Sequence, residues 1–241
     1  FFDDYKTNPV LPKALFNSLM FIPVTNFILL PLSILCAYVL FKKVPMHKVF
    51  RTVFFAPSII SIVILTMVFS FMFDSTFGVF NSFLKLIGLE SLQRVWFGDP
   101  ATAMPMVFLY CVWAGIGYNV LLLNGAISRI PTEIIEYGQL EGIGMMNEMC
   151  RVVIPMIWPT ISTVFIMGST SAFTIFLQPK LLTGGGPNGA SYTIALYIID
   201  QVNAGNLEYA AAVGIFFAVI GVLIIMAFKA ILDRVGQTVE Y

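Results

Sequence analysis

Five long stretches free of charged residues limit what this chain can be: Ala14–Phe41, Thr52–Phe73, Pro100–Ser128, Val152–Pro179 and Tyr209–Phe228. A helix needs roughly 20 apolar residues to cross the hydrocarbon core of a bilayer, and each stretch supplies them. The expected fold is therefore all-α: a polytopic transmembrane helix bundle in a lipid bilayer, with one membrane domain over residues 1–241. Composition agrees. Apolar residues fill 59% of the chain and charged residues only 11%, where a soluble domain carries about a quarter. The 13 basic and 13 acidic residues cancel, so nothing points to nucleic acid. A shorter apolar run, Ala190–Ile199, cannot span and reads as interfacial or re-entrant.

Orientation follows from Lys and Arg. Lys42, Lys43, Lys48 and Arg51 crowd the turn after the first stretch, and short basic loops face the cytoplasm. Alternation then puts 74–99 and 180–208 outside, and 129–151 and the C-terminus inside. Eight basic residues fall inside and five outside. Phe1 would then lie outside with no export signal ahead of it. The expectation is a further span before Phe1.

Several chemistries are disfavoured. Cys36, Cys111 and Cys150 sit on separate segments without ligand or disulfide spacing. The single histidine, His47, lies in the basic turn. No metal or nucleophile constellation is visible, so no enzyme is expected in this chain. Proton- and voltage-driven machines place ionisable groups within the membrane, and the five stretches hold none. No G-x-x-x-x-G-K-[ST] phosphate loop occurs either. Energy is expected to enter from elsewhere, and a separate ATPase is the natural source.

Prolines interrupt the stretches at 23, 31, 57, 105, 155 and 159. Such breaks serve packing or a pathway that opens and closes. Two polar strips run along the third and fourth stretches. One holds Gly115, Asn119 and Ala126 beside Tyr110, Trp113, Gly117 and Asn124; the other holds Thr163, Met167, Thr170 and Thr174 beside Ser162, Ser169, Phe173 and Phe176. Hydroxyls in such helices usually bond a carbonyl one turn back or pack between helices. Read as a solute path, the strips offer hydroxyls, amides and rings without charge, which suits a neutral hydroxylated solute. The path candidates are Trp113, Tyr118, Asn119, Thr170 and Phe173. Ala210, Gly214 and Ala218 form a small-residue ridge read as packing within the chain.

The segment 130–155 is distinct. Pro131 suits a helix start, Glu133 suits the positive helix end, and Gly142 suits a left-handed stop. A second short helix would run from about Met145 towards Pro155. The knob is acidic, with four glutamates against Arg129 and Arg151. Interfacial helices are commonly basic, so a protein partner fits better than lipid.

These residues resemble the cytoplasmic "EAA" loop of ATP-binding-cassette (ABC) importer permeases, E-A-A-x-x-x-G followed by I-x-L-P. Glu136, Gly142 and Pro155 stand at matching positions, Glu141 replaces the usual Asp, and Ile130-Pro131 and Pro159 match too. Tyr137-Gly138 stand where the family has Ala-Ala, and Ile143 where Ala is usual. Asn17-Ser18-Leu19, the run at 50–61, Gly115–Asn119 and the run at 183–198 carry the likeness along the chain, nearest to carbohydrate-uptake permeases of the maltose type. The resemblance implies a type I importer permease fold and pairing with a second permease subunit in a heterodimer. It implies two ATPase subunits holding ATP and Mg, with no cofactor in this chain, and an extracytoplasmic solute-binding protein. It assigns ATPase coupling to Glu133, Glu136, Tyr137, Gly138, Glu141 and Gly142. The expected cargo is a sugar or oligosaccharide crossing the cytoplasmic membrane of a prokaryote. A polyol or sugar phosphate, a membrane-embedded enzyme and a membrane sensor are the weighed alternatives.

Overall fold

The computed structural model describes residues 10–140 and 142–236, with Gln139 described in its backbone alone. Among the described residues the chain is helical with no strand. Among the described residues, three helices are long and apolar enough to cross a membrane: α1 (Val10–Phe41), α5 (Pro100–Ile127) and α11 (Leu207–Gly236). Two bent pairs raise the number of spans to five: α2 (His47–Ile59) with α3 (Ile62–Met72), and α7 (Met145–Met156) with α8 (Trp158–Thr174). Short helices α4 (Val79–Leu86), α6 (Thr132–Leu140), α9 (Leu177–Thr183) and α10 (Ile194–Asn203) connect them.

Two apolar stretches thus differ from single straight spans, and a proline sits at the second break. Thr52–Phe73 breaks at Ile60–Ser61, three residues past Pro57, and Ser61 takes an extended ψ of 134°. Val152–Pro179 breaks at Ile157, where φ is −98° and ψ is 11°. Pro159 has no N–H to give the Pro155 carbonyl four residues back, so the helix cannot continue through. Val152–Met156 consequently belongs to α7, which meets α8 at 79°. The α8 span ends at Thr174, and Pro179 lies in α9.

Helix α1 survives its prolines differently. Between Pro23 and Pro31 the backbone widens into a π-helical segment, Val24–Leu29. Each proline leaves the carbonyl four residues earlier without its helical donor, and a wider turn re-registers the chain without ending the helix.

The chain forms two compact units. The first comprises residues 10–24, 60–113 and 170–221. Its core joins Leu11 and Ala14 of α1 to Ile194 and Tyr197 of α10 and Val213 and Phe217 of α11. The Gly214 and Ala210 ridge belongs here: Ala210 is buried, and a Cβ on Gly214 would lie 3.9 Å from Ile198. An aromatic group gathers on α3 and α5, where Phe69 stacks on Trp113 at 5.7 Å and meets Tyr110 edge-on at 5.2 Å.

The second unit comprises residues 25–59, 114–169 and 222–236. Its core joins Leu30, Ile34 and Tyr38 of α1 to Val120, Leu123 and Ile127 of α5, to Val153 of α7, to Ile157 at the break and to Ile161 of α8. Most of the polar strips are spent here on packing. Gly115 lies against Leu29 and Gly117 against the Phe54 carbonyl. Asn124 donates to the Ala37 carbonyl at 3.2 Å. Thr163 and Ser169 bond carbonyls one turn back at 2.9 Å each. Asn26, in the π-segment, donates to the Ser169 hydroxyl at 2.8 Å. Gly168 makes room for this, since a Cβ there would stand 2.8 Å from Asn26 Oδ1.

Candidate functional site

The segment 130–156 folds as helix, left-handed turn, helix. Helix α6 is tethered by Ile135, which is 7% exposed and joins the second unit's core beside Ile130. Glu133, Ile134, Glu136, Tyr137 and Leu140 are exposed, the last by 87%. Gly142 has φ of +74°, the conformation an L-residue enters at a cost of about 1–2 kcal/mol. The Ile143 N–H then returns to the Gly138 carbonyl at 3.0 Å. This six-residue closure satisfies an orphan carbonyl at the helix end. Gly138 is buried beneath Ile143, whose Cδ1 lies 3.7 Å from where a Gly138 Cβ would stand. Two of the departures from the family pattern, Gly138 and Ile143, therefore meet. Glu141 lies outside the described residues.

Helix α7 follows, with a π-helical stretch, Met149–Val153, ahead of Pro155. Its apolar side faces the core through Met149 and Val153. One acid shares that side. Glu148 is 2% exposed, and its two carboxylate oxygens lie 2.6 and 2.8 Å from Lys42 Nζ. The Tyr38 hydroxyl lies 3.1 Å from Glu148 Oε1 and 3.1 Å from the Met145 carbonyl. Ile135, Glu148 and Tyr38 draw no notice in the sequence, and Lys42 reads there only as part of the basic turn. A signal existed for Glu148: it is an acid within the apolar stripe Met145, Met149, Val152 and Met156.

The knob thus gathers Glu133, Glu136 and Tyr137 on one exposed surface, with Gly138 beneath and Gly142 at its end. The path candidates are not gathered in this way. Tyr118 is 49% exposed and Asn119 half-buried, both in the second unit. The Asn119 side chain has no hydrogen-bond partner among the described residues. Trp113, Thr170 and Phe173 belong to the first unit. Trp113 stacks in the aromatic group. Thr170 accepts through its carbonyl from the Thr174 hydroxyl at 3.4 Å. Phe173 covers Gly221, where an added Cβ would stand 3.2 Å from the ring.

Two motifs remote in sequence also converge in the first unit. The buried Asn17 amide donates to the carbonyls of Ala190 and Tyr192 at 3.0 and 2.9 Å. Ser18 accepts from the Ile194 N–H at 2.9 Å. Between them the loop 184–189 turns through positive φ, and Gly185 (φ +96°) is irreplaceable, since a Cβ would sit 2.3 Å from the Tyr192 ring. Tyr192 also bonds Asp200, which Lys180 approaches to 3.8 Å. Burial first, and then the bond to Asp200, push the Tyr192 hydroxyl above its ordinary pKa. Asn17-Ser18 is thus the brace of this glycine loop.

Comparison with known proteins gives the arrangement a family. The model of the binding-protein-dependent transport system inner membrane component matches residues 30–237. The probable ABC transporter permease protein YurN of Bacillus subtilis is 32% identical over 209 residues, covering 86% of this chain and 72% of its own. The trehalose/maltose transport system permease protein MalF of Thermococcus litoralis is 25% identical over 220 residues, covering 91% of this chain and 72% of its own. The arabinooligosaccharides transport system permease protein AraP of Halalkalibacterium halodurans is 27% identical over 217 residues, covering 88% and 68%. In fold, the chain superposes on a bacterial alginate ABC transporter solved with an alginate pentasaccharide-bound periplasmic protein. The TM-score is 0.86 at 24% identity, over 98% of this chain and 84% of that one. A match across most of the chain, with the glycine-ended knob and the apolar spans, means that this chain belongs to the binding-protein-dependent transport system inner membrane components, the membrane permeases of ABC importers.

Proposed function

We propose that this permease carries a neutral sugar or oligosaccharide across the cytoplasmic membrane, in a heterodimer with a second permease subunit. Two ATPase subunits, which hold ATP and Mg, drive it, and each grips one coupling helix, here α6. A solute-binding protein outside delivers the cargo. The observation that carries this reading is the surface of α6: exposed Glu133, Glu136, Tyr137 and Leu140, aimed by the left-handed Gly142. An acidic and apolar knob has no use for anionic lipid, and it fits a basic, partly apolar cleft in a protein. The sugar class is supported by the names of the trehalose/maltose and arabinooligosaccharide relatives. The absence of charge from the apolar stretches supports it too. Positive-charge bias supports a cytoplasmic location for the knob and the C-terminus.

Cross-linking tests the coupling. Leu140→Cys in the assembled importer, treated with a short bifunctional maleimide, should give a permease–ATPase adduct by mass spectrometry. An adduct with no ATPase peptide would sink the assignment of α6. For the path, Asn119 is half-buried and its side-chain amide is unpaired among the described residues, whereas Phe173 fills space beside Gly221. Asn119→Ala should therefore raise the apparent KM of sugar uptake several-fold at unchanged membrane abundance, on the order of 1 kcal/mol for one lost hydrogen bond. Phe173→Ala should chiefly lower abundance. Equal KM values for parent and Asn119→Ala would remove Asn119 from the path. The cognate binding protein should be stabilised in a thermal-shift screen by neutral sugars. Stabilisation by anionic solutes alone would contradict the neutral cargo.

A further inference from the structure

Coupling requires more than a helix that an ATPase can grip. Whatever moves α6 must also move membrane spans, and α6 is joined to α5 through residues 128–131 and to α7 through Gly142. The apolar contact of α7 with α1, through Met149 and Val153, is non-directional. Apolar burial by itself specifies no particular pair of atoms. The Glu148 carboxylate does. It is 2% exposed and takes both close contacts from Lys42, the residue that caps the end of α1. The Tyr38 hydroxyl, one turn earlier on α1, reaches both Glu148 and the Met145 carbonyl at the start of α7. A slip of α7 along α1 would leave a buried carboxylate without its cation, a far costlier state than misaligned methyls.

We propose that the Lys42–Glu148–Tyr38 contact is the latch that makes α7 and the end of α1 move as one body, so that displacement of α6 is delivered to the first span. Glu148 is a positioning residue, acting through Lys42 and Tyr38. The inference rests on the reading of α6 as the helix gripped by the ATPase. A purely structural pair would change how much protein assembles. A latch also decides whether two helices keep their register when nucleotide drives the importer.

The test uses the importer purified with its own partner subunits and reconstituted in liposomes, with Cys36, Cys111 and Cys150 replaced by serine. Spin labels go on Leu35→Cys of α1 and Leu140→Cys of α6, which are 41% and 87% exposed. Distances are measured by pulsed electron resonance without nucleotide and after trapping with Mg-ATP and vanadate. With the latch intact, the distribution should be the same in both states. Glu148→Gln and Lys42→Met should each broaden and shift it on trapping, while ATP hydrolysis continues. The exchange Lys42→Glu with Glu148→Lys should restore the parent distribution, and it guards against a single variant that fails to assemble. Trapped distributions in Glu148→Gln identical to the parent's would overturn the latch. If the parent's Leu140→Cys gives no ATPase cross-link, the reading of α6 fails instead, so the two failures are separable.

Discussion

Gly142→Val should cut uptake at least tenfold while the permease remains in the membrane at near-parent abundance. Gly142 sits at φ +74° with no atom within 4 Å of where a Cβ would stand. The cost of a side chain is therefore wholly in the backbone, about 1–2 kcal/mol for an ordinary L-residue and more for a β-branched one. Set against a typical folding stability of 5–15 kcal/mol, that does not unfold the chain. Its effect is local. The bond from Ile143 to Gly138 depends on the left-handed turn, and without it α6 leaves α7 at another angle. The buried Ile135 and Glu148 would stay in place, so the exposed face of α6 would be present but misdirected. Asparagine tolerates this backbone region better than other L-residues. The expected order of uptake per permease is thus glycine, asparagine, alanine, valine, with aspartate near asparagine in backbone cost but adding a charge to an acidic knob. Uptake that ignores this order, or a valine variant at parent level, would remove Gly142 from the coupling geometry. Glu136→Lys is the complementary change. It reverses an exposed charge at no backbone cost, and should lose uptake without a shift in melting temperature.

Some of this was legible in the residues, for identifiable reasons. Charge-free length marks membrane helices because the bilayer imposes one dimension on every span. The left-handed Gly142 is legible because helix ends have local chemistry. The broken spans were only half legible: Pro57 and Pro159 were visible, but a proline can kink, widen or end a helix, as α1 shows with its π-segment. Pairings were not legible at all. Asn17 meets the 190–192 loop 173 and 175 residues away, and Lys42 meets Glu148 106 residues away. Periodicity says which face of a helix is apolar; it does not say which helix covers it. Hence Gly115, Gly117 and Asn124 could be read as a solute strip, when each is occupied by a neighbouring helix.

Gly117→Ala and Gly125→Ala, eight residues apart on α5, should move stability in opposite directions. Intrinsic helix propensity favours both, by up to about 1 kcal/mol each. At Gly125 nothing lies within 4 Å of the added methyl, so the gain stands alone. At Gly117 the methyl would stand 2.3 Å from the Phe54 carbonyl oxygen and 2.9 Å from Ser58 Oγ. Ser58 can rotate away. The carbonyl belongs to the backbone of α2 and yields only if α2 itself moves off α5. Forced overpacking of this kind costs about 1–3 kcal/mol, which exceeds the propensity gain, and the close backbone approach that small residues permit would be lost. Gly117→Leu should go further and leave little permease in the membrane. The check is the thermal unfolding midpoint of the purified permease in one detergent: lower than the parent for Gly117→Ala, equal or higher for Gly125→Ala. Two shifts of the same sign would mean that propensity outweighs contact on α5, and that the Gly117–Phe54 approach does not hold α2 in place.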